Sequence, residues 1–169
     1  MMSADLPASV LISACGNPSR GDDALGPLLL ERLAEVPGAC ADSGVELLCD
    51  FQFQPEHALD LDGRRLVLFV DAHIDCQAPF AFQRLSARRD NSYTTHAMSP
   101  WAVMQVYRDI KGIEPPPAFL LTVRGERFEL GDGLSEAATQ RLGAATVFCV
   151  RLLDNRELLF WDSQAAISL

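Results

Sequence analysis

Basic charge, long apolar runs and paired cysteines are all scarce in this chain, and each scarcity removes a class of function. Only 14 lysines and arginines stand against 23 aspartates and glutamates, for a formal net charge of -9. That balance argues against a nucleic-acid partner, because neutralising phosphates takes clustered cations. Arg84, Arg88 and Arg89 do gather within six residues, a pattern that more often marks a solvated loop. No segment approaches the roughly 20 apolar residues that span a bilayer. The opening residues, Met1 to Pro7, lack a basic stretch leading into a hydrophobic one, so neither a signal peptide nor a membrane partner is expected. The five cysteines (Cys15, Cys40, Cys49, Cys76 and Cys149) form no CxxC pair, which suits a reducing, cytoplasmic setting with thiols used as small core residues.

Several catalytic signatures are absent as well. There is no G-x-S-x-G nucleophile elbow, no His-Glu-x-x-His, no G-x-G-x-x-G and no P-loop lysine. A serine hydrolase, the commonest zinc-protease helix and a nucleotide site all lose support. No repeat, low-complexity stretch or domain boundary interrupts residues 1–169, and 49% hydrophobic residues suffice for one core.

What is present is a chain of strands alternating with helices. Val10–Cys15 is a short apolar run stopped by Gly16-Asn17-Pro18, and reads as a buried strand. From Asp23 to Val36 the period becomes helical, with Leu25, Leu29, Leu33 and Val36 on one face. Val45–Phe51 is a second strand, and Pro55 opens a short helix to Asp60. Leu66–Val70 is apolar without alternation, as for a strand covered on both faces, and ends at Asp71. Phe80–Leu85 alternates like an edge strand. Ser99, Pro100 and Gly112 punctuate a helix with Val103, Met104, Tyr107 and Ile110 inward. Phe119–Val123 is a further strand, and Ser135 starts a long helix carrying Ala138, Leu142, Ala145, Cys149 and Leu152 inward. The alternation predicts an α/β fold, a three-layer α/β/α sandwich around one open, mainly parallel sheet. In such sheets ligands bind at the carboxyl ends of the strands.

Three polar positions fall at that edge: the acidic pair Asp22-Asp23, Asp71 and His96. Two carboxylates and an imidazole, brought together from separate segments, suit a borderline metal such as Ni²⁺ or Zn²⁺, whereas carboxylates alone suit Mg²⁺ or Ca²⁺. Each residue also has a plainer role. Asp22 or Asp23 can cap the helix they precede. Asp71 can close an Asx-turn, Asn17 can be a turn residue, and His96 can be a surface histidine. The run Asp71-Ala72-His73-Ile74-Asp75-Cys76 holds four potential ligands but matches no zinc spacing.

The segment from Gly16 to Gly26, GNPSRGDDALG, resembles the opening motif of the hydrogenase maturation endopeptidases: a strand, Gly-Asn, a short variable stretch, an acidic pair and a glycine two residues beyond. The resemblance continues at Val70-Asp71-Ala72 and at Thr95-His96 ahead of a helix. Gln54-Pro55-Glu56-His57-Ala58 resembles the branch serving soluble NAD-linked hydrogenases. The resemblance implies a phosphorylase/hydrolase-like α/β/α fold and an endopeptidase that removes a C-terminal extension from the precursor of a [NiFe] hydrogenase large subunit. It implies that Asp23, Asp71 and His96 bind nickel, carried by that precursor partner. Some family members have glutamate at the position of Asp23, so ligation here would be one methylene shorter. Asp22 or another uncoordinated carboxylate is expected to accept a proton from the attacking water. Asn17 and the Gly16 backbone are expected beside the substrate. Two other classes stay open: a different hydrolase on a similar scaffold, and a nickel-binding assembly chaperone that cuts nothing.

Overall fold

The computed structural model describes residues 9–40, 44–90 and 98–167. Among them the strands β1 (Val10–Cys15), β2 (Val45–Asp50), β3 (Leu66–His73), β4 (Phe80–Leu85) and β5 (Ala118–Arg124) form one sheet in the order β2-β1-β3-β5-β4. All neighbours are parallel except β4 and β5. The helices are α1 (Leu25–Glu35), α2 (Pro100–Lys111), α3 (Glu136–Asp154) and α4 (Leu158–Ile167), with 3-10 turns at Gly21–Ala24 and Pro55–Leu61. The fold is the α/β class the alternation predicts, with β4 at an edge.

The central strands are apolar on both sides because both sides are covered. Val10, Ile12, Leu68, Val70, Phe119 and Leu121 pack with residues of α1, α3 and α4 in one core. The intervening residues, Leu11, Cys15, Val67, Phe69 and Leu120, pack with α2 and the Pro55–Leu61 turn in a second. Period-two alternation therefore assigns each strand residue to a layer. Cys15 and Asp71 share parity with the α2 layer.

Local signals fix the helix ends. Ser99 caps α2 by accepting from the Ala102 N–H, Pro100 takes the first position, and Gly112 ends the helix in the left-handed region at φ 69. Ser135 caps α3 in the same way through Ala138. The five inward positions expected for α3 are all buried. Ile110 departs from expectation and is 61% exposed. The last turn of α2 is tied down instead by polar bonds, with Tyr107 and Lys111 both reaching Asp62. β3 also runs three residues past Val70, because Asp71, Ala72 and His73 continue the register against Thr122, Val123 and Arg124. Asp71 is therefore a strand residue rather than the turn that ends one. The sequence reading has no counterpart to α4, whose Trp161 is fully buried and donates to the Leu152 and Asn155 carbonyls.

Candidate functional site

From β1 the chain passes through α1 to β2, then returns across β1 to β3. Strand order thus reverses between β1 and β3, and beyond the carboxyl ends of two such strands a crevice opens. The residues at this edge are Cys15, closing β1, and Asp71, in β3. A cleft of about 570 Å³ lies there on the α2 side, lined by Cys15, Phe53, Asp71, Met98, Trp101 and Thr122 among others.

The loop after β1 delivers the acidic pair. Gly16 donates to the Asp50 carbonyl and turns with φ 152, and a Cβ at this position would lie 2.0 Å from the Asp23 carbonyl oxygen. Only glycine lets the returning chain come so near. The Asn17 N–H then donates to Asp23 Oδ2 at 2.9 Å, while Asn17 Oδ1 accepts from the Ser19 N–H in an Asx-turn. The Asn17 backbone orients Asp23, and its side chain orients the loop. Gly26 completes the arrangement, since a Cβ there would meet the Cys15 carbonyl oxygen at 2.5 Å. Helix α1 is thereby pressed against the end of β1.

Neither acid caps the helix it precedes: the N-cap of α1 is Ala24, without a side-chain bond. Asp22 is fully buried and is not among the residues that line the cleft. Its carboxylate accepts from the Glu126, Arg127 and Ser135 N–H groups and the Ser135 hydroxyl, at 2.7 to 3.1 Å. Burial raises its pKa, but these four bonds outweigh burial and hold it below the ordinary carboxylate value. A saturated, acid-shifted carboxylate of this kind is a poor proton acceptor, so the expected role of Asp22 as base finds no support in its surroundings. It clamps the Ser19–Asp23 loop to the start of α3 instead.

Asp71 is the opposite case. Its Oδ1 accepts from the Ala72 N–H at 2.8 Å and from the Cys15 thiol at 3.4 Å. No described residue donates to its Oδ2, and none donates to Asp23 Oδ1. Burial pushes the Asp71 carboxyl up to about 6, against the pull of those two donors, and the negative charge of Asp23 pushes the same way. Burial, with Asp71 and Asp23 adding to it, also drives the Cys15 thiol far above its usual range. The charge of one carboxylate is thus felt at the other, and each keeps an oxygen to which no described residue donates.

His96 lies outside the described residues, as does Thr95. Met98, two residues further along the chain, lines the cleft. Among the described residues no group of three or more His, Cys, Asp or Glu side chains is arranged for a metal. His73, Asp75 and Cys76 line the same cleft, with His73 Nδ1 accepting from the Asp75 N–H and the Cys76 thiol donating to the His73 and Thr122 carbonyls. The arginine cluster is engaged too, with Arg84 on Asp162, Arg88 over the Trp101 ring and Arg89 near Asp109. No helix among the described residues is long and apolar enough to cross a membrane. Cys15, beside Asp71 in the cleft, is a residue the sequence motifs did not single out. Its signal was position, as the last residue of a strand that enters the switch point.

An open, mainly parallel α/β sheet with paired acids at its switch point defines a broad class. No family model and no curated protein matches this chain in sequence. Among solved structures, the [NiFe] hydrogenase maturation protease HycI from Thermococcus kodakarensis is similar at a TM-score of 0.66 and 23% identity, over 90% of this chain and 96% of that one. The hydrogenase maturating endopeptidase HybD from E. coli gives 0.66 and 22%, over 87% and 93%. The hydrogenase 2 maturation peptidase from a Thaumarchaeota archaeon gives 0.61 and 19%, over 85% and 97%. At these identities the likeness is one of fold, and it spans nearly the whole of each neighbour.

Proposed function

We propose that this chain is a cytoplasmic endopeptidase that removes a short C-terminal extension from the nickel-loaded precursor of a [NiFe] hydrogenase large subunit. The observation that carries the reading is the pair Asp23 and Asp71, each with an oxygen to which no described residue donates, at the switch point of the sheet. Structural neighbours named as hydrogenase maturation proteases, and the motif from Gly16 to Gly26, support the same reading. The resemblance of Gln54–Ala58 supports a precursor from the soluble NAD-linked branch.

In this reading the nickel belongs to the substrate. Two carboxylates suit it, and His96 supplies the imidazole that completes a borderline donor set. Bound there, the metal supplies Lewis acidity toward a carbonyl or a water. The chain's own part is to hold the precursor's C-terminal segment in the cleft. Asp23, fixed through the Asn17 N–H, and Asp71, fixed through Ala72 and Cys15, set the position of the scissile bond. Asp22 is saturated by four donors, and Asp23 and Asp71 hold the metal, so the proton of the attacking water goes to a carboxylate outside the ligand set.

The test is incubation with a nickel-loaded precursor and with its metal-free form, followed by mass spectrometry of the precursor. Release of a C-terminal peptide from the loaded form alone is expected. A precursor bound but left at full length would make the protein an assembly chaperone and end the protease reading.

A further inference from the structure

We infer that Cys15 is a positioning residue for Asp71: its thiol and the Ala72 N–H together engage one carboxylate oxygen, so that Oδ2 is the oxygen available in the crevice. The inference deepens the proposed function and rests on it for the nickel. Three observations carry it. Cys15 and Asp71 come from adjacent strands and share the α2-facing parity, so their contact is set by the sheet itself. The thiol is buried at the end of β1 and lines the same cleft as the carboxylate. Both donors fall on Oδ1 and no described donor falls on Oδ2, so the side chain is held asymmetrically.

A thiol is a weak donor, so its effect is orientation more than energy. A free carboxylate turning about its last bond presents either oxygen, or both, to a cation. One held by two donors on the same oxygen presents the other as a single ligand. Partners that orient a ligand in this way typically alter metal affinity or activity by about 10- to 100-fold, and a thiol belongs at the lower end of that range.

The experiment compares wild type with Cys15→Val, which removes the donor while filling the space, and Cys15→Ser, which keeps a donor. Nickel affinity of the isolated proteins is read by calorimetric titration with Ni²⁺, and kcat/KM is read on nickel-loaded precursor. Cys15→Val is expected to lower both by about tenfold, with Cys15→Ser within about threefold of wild type. If the valine variant does not fold, Cys15→Ala takes its place in the same comparison. A valine or alanine variant equal to wild type overturns the inference, and so does a serine variant as weak as valine. A sulfur-to-nickel charge-transfer band in wild type, absent from Cys15→Ser, overturns it as well, by making Cys15 a ligand. Should wild type cut no precursor, the protease reading falls while the nickel titration still decides the role of Cys15. If wild type neither binds nickel nor cuts, both fall.

Discussion

Asp22 and Asp71 are both aspartates set at the edge of one sheet, and the surroundings of each have given it an opposite character. Around Asp22 two loops converge, and four donors take up the carboxylate until it is fully buried and acid-shifted. Around Asp71 two donors take one oxygen, no described residue takes the other, and the carboxyl rises to about 6. Burial alone does not separate a structural acid from a functional one. What separates the two is how many donors among the described residues meet the charge. A carboxylate met by four donors stabilises the fold, whereas one held on a single oxygen keeps a raised pKa.

Mutations that exchange these characters should break the comparison. The largest effect on stability is expected from Asp22→Ala, which leaves the buried Ser135 N–H and the part-buried Glu126 and Arg127 N–H groups without their acceptor. A loss of about 3 kcal/mol or more follows, seen as a fall in thermal midpoint on the order of 10 °C. Acid should imitate the change, because a depressed carboxylate contributes stability above its unfolded value and loses it as pH falls through the folded one.

Asp71→Asn should have the opposite sign. The wild-type carboxyl binds its proton more tightly folded than unfolded, so folding loses stability as pH rises from about 4 to about 6. An amide keeps an acceptor for Ala72 and has no charge to desolvate. The variant should therefore gain about 1 to 3 kcal/mol above pH 6, and nothing below pH 4, in denaturant unfolding across that range. A variant less stable than wild type at neutral pH would mean that Asp71 is a satisfied structural acid after all.

Smaller effects sharpen the contrast. Ser135→Ala removes the cap of α3 and one of the four bonds to Asp22, for about 1 to 2 kcal/mol in the same unfolding experiment. Asn17→Ala removes only the Asx-turn, since the bond to Asp23 comes from the backbone. It should cost about 0.5 kcal/mol and leave cleavage nearly normal, so a large loss of cleavage would give the Asn17 side chain a direct hold on substrate.

The same contrast marks what was legible in the sequence. Strand and helix periods, the cap at Ser99, the start of α3 after Ser135 and the edge position of Phe80–Leu85 are local properties, and Ile110 aside the structure repeats them. The candidate site was legible as a place, because the carboxyl ends of strands can be read from a pattern. Which acid does what was not legible. Asp22 and Asp23 are neighbours in sequence, and their separation depends on Arg127 and Ser135 more than a hundred residues away. The contact of Cys15 with Asp71 depends on a strand pairing with β3 that no local pattern displays. Helix α4 escaped for a different reason. Leu158, Leu159 and Phe160 are consecutive and apolar, so no single face announces itself.

The central claim is that Asp23 and Asp71, and not Asp22, meet the nickel-bearing substrate. Cleavage of a nickel-loaded hydrogenase precursor by Asp23→Asn, Asp71→Asn and His96→Ala, each confirmed folded, tests it most directly. The account predicts that all three lose at least about a hundredfold in kcat/KM relative to wild type. Cleavage at the wild-type rate by the Asp23 and Asp71 variants would contradict it.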